Sequence, residues 1–465
     1  MYNYSLFIHN YFQTMSEVIK RTKNPVKKDS AMLYSDTYFD PLAYTVENMH
    51  ANKAFHYACI QNPGKDQDLI LEELKERYKD YRVKWSKQPI DCAQQEIDDT
   101  KLIELGIIPL CLDLEVASIC DLACPFCYRE FIATPDKVIA DPLAEKLIAE
   151  AGELKIPSIK LNWRGEPLLY PRISKLIDFA KQNGVLETMI NTNATQLTKK
   201  KSKELIEAGL DVMIYSFDGG TKETYEKMRP GRFRKNTFDE VYKNIINFAE
   251  TRSKLGAKFP RTRIQMILNE DTFDEQENFF NLFSGYVDEI SVNTYTERGG
   301  SLDDLSQEEL KRFHNFCKEN NLPESSPYMK DSLGKMWISD SRTPCEQLYQ
   351  RLMVTYDGRA GMCCYDWGSQ HPVGFLSDES FEDPNKVYRD VLKKVEKNHS
   401  GFELLKAVQL PSTHNEPEKK VTSIKDIWIS EELNVVRRHH KKLELGKVNI
   451  CKKCTFKDTY HWIEI

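Results

Sequence analysis

The sequence lacks long apolar runs and lacks any excess of positive charge. In 465 residues, no apolar run approaches the roughly 18 residues that a membrane-spanning helix needs, so we expect no membrane partner. The formal net charge of −6 gives no indication of a nucleic-acid partner. The first residues contain no basic segment ahead of an apolar stretch. We therefore do not interpret them as a signal peptide, and we expect a cytoplasmic protein.

Cysteine is plentiful, but its distribution does not suit a disulfide framework. The chain has twelve cysteines, and without a secretory signal we expect them to stay reduced. Clustered thiols then indicate metal ligands or catalytic groups. Two groups stand out, which are the cysteine triad of Cys120, Cys124 and Cys127, and a C-terminal group of Cys345, Cys363 or Cys364, Cys451 and Cys454.

Short strand-like runs alternate with helix-like runs in the middle of the chain. The strands are predicted at 111–116, 158–162, 187–191, 212–217, 263–268 and 289–294, and the helices near 141–154, 171–183, 198–208, 237–253 and 273–284. Regular alternation predicts a parallel sheet with helices outside it. Six strands are too few for a closed eight-fold barrel. The predicted fold class is α/β, with a partial (β/α)6 TIM-like barrel and a small C-terminal cysteine-rich α+β domain.

The same patterns divide the chain into four parts. Residues 1–107 form an N-terminal extension of unknown function, with an amphipathic helix predicted over 66–85. Residues 108–300 form the barrel core. Residues 301–340 are charged and helical in pattern, which predicts a connector, and residues 341–465 are loop-rich and carry the C-terminal cysteines.

The cysteine triad has a spacing that chance produces on the order of one time in a hundred. It directly follows the first predicted strand. Thiolates suit iron–sulfur clusters and zinc. Zinc prefers four closed ligands, usually from two cysteine pairs, which three cysteines on one loop do not provide. A four-iron cluster held by three cysteines would instead leave one iron open to a ligand.

The segment Cys120-x3-Cys124-x-Phe126-Cys127 resembles the radical S-adenosylmethionine (SAM) superfamily. The resemblance implies a [4Fe–4S] cluster whose open iron binds S-adenosylmethionine. It further implies that one electron, from a donor such as flavodoxin or ferredoxin, cleaves the sulfonium and yields a 5′-deoxyadenosyl radical. That radical abstracts hydrogen from a substrate, while the protein positions and shields the chemistry.

Three further motifs follow the next predicted strands in the order typical of that superfamily. Gly165-Glu166-Pro167 resembles the end of a Gly-Gly-Glu-Pro loop, with Arg164 in place of the first glycine. This departure matters only if the position requires a positive φ. The alternative for each polar residue is strand-end capping or turn formation. The residues that the resemblance assigns to S-adenosylmethionine binding are Gly165, Glu166, Asn193, Ser216, Asp218 and Arg229.

The C-terminal cysteine group resembles the SPASM/twitch domains of radical SAM enzymes. Asp357-Gly358 predicts a hairpin that returns the chain and brings Cys345 toward Cys363. The resemblance implies one auxiliary [4Fe–4S] cluster, held by Cys345, Cys363, Cys451 and Cys454, that serves as an electron relay. The choice between Cys363 and Cys364 as ligand stays open, and a zinc ribbon-like site is the alternative. Cys364 either packs in the core or acts catalytically, as hydrogen-atom donor to a substrate radical.

Three functions are compatible with these motifs. The first is oxidation or epimerisation of a polar small molecule, such as a sugar, nucleotide-sugar or aminocyclitol. The second is modification of a peptide or protein, for which enzymes often carry a leader-binding domain with a three-stranded sheet. The third is a non-catalytic iron–sulfur or zinc protein. We expect the first, because a single auxiliary cluster favours it and no strand pattern is evident in residues 1–107.

Overall fold

The computed structural model describes most of the chain between residues 39 and 465. The described residues are 33–34, 39–94, 97–127, 129, 135–269, 271–294, 306–322, 328–330, 334–342, 344–366, 369, 371–382, 417–452, 454, 456 and 460–465. Within these ranges, no helix has the length and apolar character needed to cross a membrane.

Thirteen strands and fourteen α-helices are found in the described ranges. The strands are β1 Leu33–Tyr34, β2 Cys111–Leu114, β3 Ser158–Lys160, β4 Glu187–Thr192, β5 Val212–Ser216, β6 Arg261–Leu268, β7 Glu289–Thr294, β8 Tyr328–Lys330, β9 Met336–Arg342, β10 Arg351–Val354, β11 Arg359–Gly361, β12 Pro372–Phe375 and β13 Tyr460–Glu464. The helices are α1 Pro41–Glu47, α2 Lys53–Gln61, α3 Gln67–Gln94, α4 Asp141–Glu153, α5 Ile173–Gln182, α6 Lys199–Ala208, α7 Lys222–Met228, α8 Phe238–Lys254, α9 Gln276–Phe283, α10 Gln307–Glu319, α11 Gln347–Gln350, α12 Ile424–Trp428, α13 Glu431–Lys441 and α14 Asn449–Lys452.

Strands β2 to β7 form a parallel sheet in consecutive order, which confirms the predicted partial barrel. The helices between them bury one apolar face against the sheet, as α5 does with Leu176, Ile177 and Ala180. Each predicted strand and helix of the barrel is present, with ends shifted by three residues or fewer. Because all six strands run the same way, the loops at their carboxyl ends meet at one rim of the barrel.

The C-terminal hairpin continues the barrel sheet. Strand β10 pairs in parallel with β2, and β11 and β12 follow in antiparallel order. Gly358 has φ +90°, as the turn between β10 and β11 requires, so the predicted hairpin is confirmed. This pairing places β10 beside β2, the strand that precedes the cysteine triad, and Cys363 follows β11, which is one strand farther out.

The stretch between the barrel and the hairpin contains strands as well as a helix. Its helical pattern corresponds to α10, whose start is closed by a capping box between Ser306 and Glu309. Strands β8 and β9 follow, and they form a separate three-stranded sheet with β13 from the end of the chain. The pattern of 301–340 predicted only the helix; β9 pairs with the nearby β8 and with β13, which lies more than a hundred residues later.

The long helix α3 covers the amino ends of the barrel strands. It extends the helix predicted over 66–85 to Gln94. Tyr78 donates its hydroxyl hydrogen to Glu187 Oε2 at 2.7 Å, and Gln88 Nε2 donates to the Tyr349 carbonyl at 2.6 Å. The N-terminal helix therefore closes the end of the barrel that lies opposite the cysteine triad.

Candidate functional site: two groups of cysteines joined by one loop

The cysteine triad lies on the loop that follows β2, at the carboxyl rim of the barrel. The Cys127 amide donates to the Cys124 carbonyl at 2.9 Å, which closes a tight turn between them. The Ala123 amide donates to the Pro230 carbonyl, and the Arg232 amide donates to the Asp121 carbonyl. Cys124 is buried, whereas Cys120 and Cys127 are half-buried. These backbone hydrogen bonds hold the loop in place around the three cysteines.

The loop after β3 packs directly against the cysteine loop. The Glu166 amide donates to the Ile119 carbonyl at 2.8 Å. Gly165 has φ +68°, and a Cβ added there would lie 2.4 Å from the Ala117 carbonyl oxygen. Only glycine combines this φ with so close an approach of two backbones. The glycine of this motif is therefore explained by the contact with the cysteine loop.

The carboxylate of Glu166 joins this loop to the one after β4. It accepts hydrogen bonds from Thr192 Oγ1 at 2.7 Å, from the Asn193 amide at 2.7 Å and from the Leu168 amide at 3.0 Å. Burial raises the pKa of the Glu166 carboxyl to about 7, although these donors act against the shift. Three of the roughly four acceptor positions of the carboxylate are occupied by the protein. Glu166 therefore positions neighbouring loops, whatever further group it binds.

Arg164, which stands in place of a glycine in the resembled motif, forms a buried ion pair. It lies outside the positive-φ region, so the departure from glycine strains no backbone. Its Nε and Nη2 donate to the two carboxylate oxygens of Glu115 at 2.7 and 2.9 Å. The two side chains are 2% and 0% exposed. Glu115 also accepts from the Tyr356 amide at 3.3 Å, so the pair connects the barrel loops to the C-terminal hairpin.

Asn193 reaches the cysteine triad through Asp121. Asn193 Nδ2 donates to Asp121 Oδ1 at 2.9 Å and lies 3.9 Å from Cys120 Sγ. Thr195 and Gln196 donate to the other oxygen of Asp121 at 2.6 and 2.8 Å. Sequence reasoning missed Asp121, although its place directly after the first cysteine was a usable signal. The carboxylate fixes the Cys120 end of the loop.

Arg229 brings a positive charge to the buried Cys124 thiol. Its Nε donates to Asp218 Oδ2 at 2.8 Å, and its guanidinium lies 5.8 Å from the ring centre of Phe126. Burial raises the pKa of the Cys124 thiol to about 12, and Arg229 opposes that shift. Ser216 is half-buried at the end of β5. Its hydroxyl makes no hydrogen bond to the described residues, so the structure does not join it to the other predicted site residues.

Four C-terminal cysteines line one pocket, which we call the four-cysteine pocket. Besides these four cysteines, which are Cys345, Cys363, Cys451 and Cys454, it is lined by Gln347, Leu348, Met362, Tyr365, His440, Ile450 and Phe456. Cys364 is not among the lining residues; its Sγ lies 3.5 Å from Gln347 Oε1. The arrangement favours Cys363 over Cys364 as the fourth ligand. Sequence reasoning missed His440, because a single histidine on an amphipathic helix carries no local signal.

The donor sets at both sites are cysteine thiols, which suit iron–sulfur clusters and zinc alike. In a four-iron cluster, each ligand thiol binds a separate iron. The triad supplies three thiols and the pocket supplies four, which matches one open and one closed cluster.

Trp163 connects the two sites. Its Nε1 donates to the carbonyl oxygen of Cys364 at 2.9 Å, and the Arg164 guanidinium lies 4.3 Å from its ring centre. Trp163 belongs to the same loop as Gly165 and Glu166, which contacts the cysteine triad. One short loop therefore touches the surroundings of both groups of cysteines.

Known proteins resemble this chain mainly in the barrel. Residues 114–283 match the family model of the Radical SAM superfamily. GTP 3′,8-cyclase of Chlorobaculum tepidum is 28% identical over 158 residues, covering 34% of this chain and 46% of that protein. GTP 3′,8-cyclase of Limosilactobacillus fermentum is 25% identical over 277 residues, covering 55% of this chain and 79% of that protein. The matched region thus spans less than half of the first relative.

One solved structure with a similar arrangement is that of Streptococcus suis SuiB bound to precursor peptide SuiA. It is 14% identical to this chain, with a TM-score of 0.44, and the match covers 84% of this chain and 77% of that one.

Proposed function

We propose that this chain, whose residues 114–283 match the family model of the Radical SAM superfamily, abstracts a hydrogen atom from a polar small molecule such as a sugar. A second iron–sulfur cluster would then accept one electron from the substrate radical. The observation that carries this proposal is the four-cysteine pocket and its link, through Cys364 and Trp163, to the loop beside the cysteine triad. When bound, the first cluster and S-adenosylmethionine supply a hydrogen-abstracting radical, and the second cluster supplies an electron acceptor.

The residues of the barrel rim would hold the first cluster and S-adenosylmethionine. Cys120, Cys124 and Cys127 would be the three thiol ligands. The fourth acceptor position of the Glu166 carboxylate suits the ammonium group of S-adenosylmethionine, since opposite charges attract strongly in a buried site. Arg229 lowers the cost of a thiolate at Cys124. The remaining assignments, Gly165, Asn193, Ser216 and Asp218, rest on the family resemblance, and the Ser216 hydroxyl is available for a ligand.

The four-cysteine pocket would hold the second cluster. Cys345, Cys363, Cys451 and Cys454 would close all four irons, so no iron would be left for substrate. The mostly apolar lining would exclude water and, together with hydrogen bonds to the sulfurs, would influence the reduction potential of a bound cluster.

The described residues of the N-terminal region pack on the barrel. They form helices α1 to α3 and the two-residue strand β1, which pairs with β7. They contain no three-stranded sheet of the kind that leader-binding domains use. Helix α3 packs against the amino end of the barrel.

Iron content tests the second cluster. Anaerobically reconstituted Cys451→Ala/Cys454→Ala protein should contain roughly four irons fewer per chain than the parent, which is the content of one cluster. Cys59→Ala is the matched control, because Cys59 is a half-buried cysteine of α2 remote from both sites. Unchanged iron in the double variant, or zinc in the parent, would contradict the second cluster.

Formation of 5′-deoxyadenosine in the presence of candidate substrates tests the substrate class. The panel contains sugars, aminocyclitols, short peptides and GTP, the last because relatives are named GTP 3′,8-cyclases. A sugar or aminocyclitol should increase 5′-deoxyadenosine, and a deuterated carbon of that molecule should transfer deuterium to it. Stimulation by peptides or by GTP alone would contradict the proposed class.

Epimerisation is the second candidate, and the position of Cys364 favours it. Its thiol is half-buried and outside the four-cysteine pocket, next to the Trp163 loop. An epimerase that uses this thiol would incorporate solvent deuterium into its product. Cys364→Ala would then abolish the product without abolishing 5′-deoxyadenosine. A product with two electrons fewer and no solvent deuterium would support oxidation instead.

A further inference from the structure

We propose that His440 donates a hydrogen bond to the sulfur of Cys451 and thereby raises the reduction potential of the cluster in the four-cysteine pocket. The inference rests on the proposed function, since it requires a cluster in that pocket. His440 would be a positioning residue for electron transfer, without being a ligand.

The position of His440 is fixed from both sides of its ring. It lies in the last turn of α13 and is 1% exposed. Its Nδ1 lies 3.2 Å from the Cys345 amide nitrogen, and its Nε2 lies 3.3 Å from Cys451 Sγ. The imidazole thus bridges two segments of the pocket that are more than a hundred residues apart in the sequence.

The first of these contacts decides the direction of the second. A backbone amide can only donate, so Nδ1 of His440 must accept and carries no hydrogen. A neutral imidazole then has its hydrogen on Nε2, which faces the Cys451 sulfur. The sulfur is therefore the acceptor, as a thiolate ligand would be.

A hydrogen bond to a ligand sulfur withdraws negative charge from the cluster. The reduced cluster carries one more negative charge than the oxidised one, so it gains more from the donor. Burial strengthens this effect, because no water competes for the sulfur. Removing the donor should shift the reduction potential to more negative values.

The neighbouring residue supplies a matched control. His439 lies on the same turn of α13 but is only partly buried, and its Nδ1 pairs with Glu444 at 3.0 Å. It is not among the residues that line the pocket. His439→Asn therefore changes the same helix in the same way without touching the sulfur.

Two substitutions of His440 separate its two contacts. The Asn side chain places its oxygen near the position of Nδ1, so His440→Asn keeps the acceptor for the Cys345 amide and loses the donor to sulfur. The Gln side chain is one carbon longer, so His440→Gln places an N–H donor near the position of Nε2. Comparing the two isolates the hydrogen bond to sulfur from the support that the side chain gives the helix.

The test measures the midpoint potential of the second cluster alone. All variants are made in the full-length chain with Cys120, Cys124 and Cys127 changed to Ala, so that only the pocket can hold a cluster. After reconstitution, iron is counted, and the potential is found by redox titration monitored by electron paramagnetic resonance. His440→Asn should keep its iron and titrate at a more negative potential, His440→Gln should recover most of the shift, and His439→Asn should match the parent.

The outcomes distinguish the inference from the proposed function. Equal potentials in the parent and in His440→Asn would overturn the inference while leaving the second cluster in place. Loss of iron from both His440 variants would also overturn it, because His440 would then be a ligand or an indispensable support. A parent that binds no iron in the pocket would overturn the proposed second cluster, and the inference with it.

Discussion

Replacing Arg164 by glycine, the residue of the resembled motif, should destabilise this protein strongly. Arg164 and Glu115 are almost fully buried and joined by two hydrogen bonds of 2.7 and 2.9 Å. Removing one partner of a buried pair leaves an uncompensated charge, which costs about 3–5 kcal/mol. We therefore expect the free energy of unfolding of Arg164→Gly to fall by about that amount, measured by urea unfolding followed by circular dichroism.

Arg234 offers a control with the same chemistry at the surface. Its guanidinium makes two hydrogen bonds to Glu240, at 2.9 and 2.8 Å, but the side chains are 57% and 39% exposed. Arg234→Gly should cost less than about 1 kcal/mol, because solvent screens exposed pairs.

A double variant distinguishes the free-energy cost of the unpaired buried charge from the cost of the lost packing. Glu115→Gln/Arg164→Gly should be more stable than Arg164→Gly by about 1–3 kcal/mol, since it removes the orphaned charge. The Gln oxygen still accepts from the Tyr356 amide. Equal stability of Arg164→Gly and Arg234→Gly would refute the claim that burial of this pair matters.

Three further outcomes follow from the same contacts. Gly165→Ala should lower the content of the first cluster, measured as iron per chain, because the added Cβ would lie 2.4 Å from the Ala117 carbonyl oxygen. Unchanged iron would contradict the close approach of the loop after β3 to the cysteine loop. Tyr78→Phe should lower the free energy of unfolding in urea by about 1–3 kcal/mol, because the buried Glu187 carboxylate loses a hydrogen-bond donor. Cleavage of S-adenosylmethionine should persist in this variant, since the contact lies at the end of the barrel opposite the cysteine triad. A loss of cleavage would contradict this expectation. Burial raises the pKa of Glu166 from 4.5 to about 7, so the ligand-free folded state holds this proton where the unfolded chain has lost it. The contribution of the protonated Glu166 carboxyl to the free energy of unfolding is complete below pH 4.5. Between pH 4.5 and 7 this contribution decreases by about 1.4 kcal/mol per pH unit, and it is lost above pH 7. The difference in unfolding free energy between the parent and Glu166→Gln should therefore decline over that interval, and a constant difference would contradict the raised pKa.

The barrel could be predicted because its signals are local. Strand and helix runs alternate with turn residues between them, and parallel connections place each motif at the same rim. In the structure, Gly165, Glu166 and Asn193 contact the cysteine loop or its neighbours. The hairpin at Gly358 was equally local, because the turn residues themselves carry the signal.

Contacts between distant segments could not be predicted. Nothing near Arg164 in the sequence shows that its partner is Glu115, 49 residues earlier. The pairing of β10 with β2 joins segments about 240 residues apart, so no local pattern shows that the hairpin extends the barrel. His440 acquires its contacts to Cys345 and Cys451 only when three segments meet.

Cleavage of S-adenosylmethionine is the most direct test of the account. The chain is purified without oxygen, reconstituted with iron and sulfide, and given S-adenosylmethionine and dithionite, and 5′-deoxyadenosine is quantified by chromatography. The assay is repeated with the substrate panel, because cleavage in some enzymes of this kind depends on bound substrate. We expect 5′-deoxyadenosine from the parent and none from Cys124→Ala. Equal formation by both proteins, or a parent that retains zinc and forms no 5′-deoxyadenosine, would contradict it.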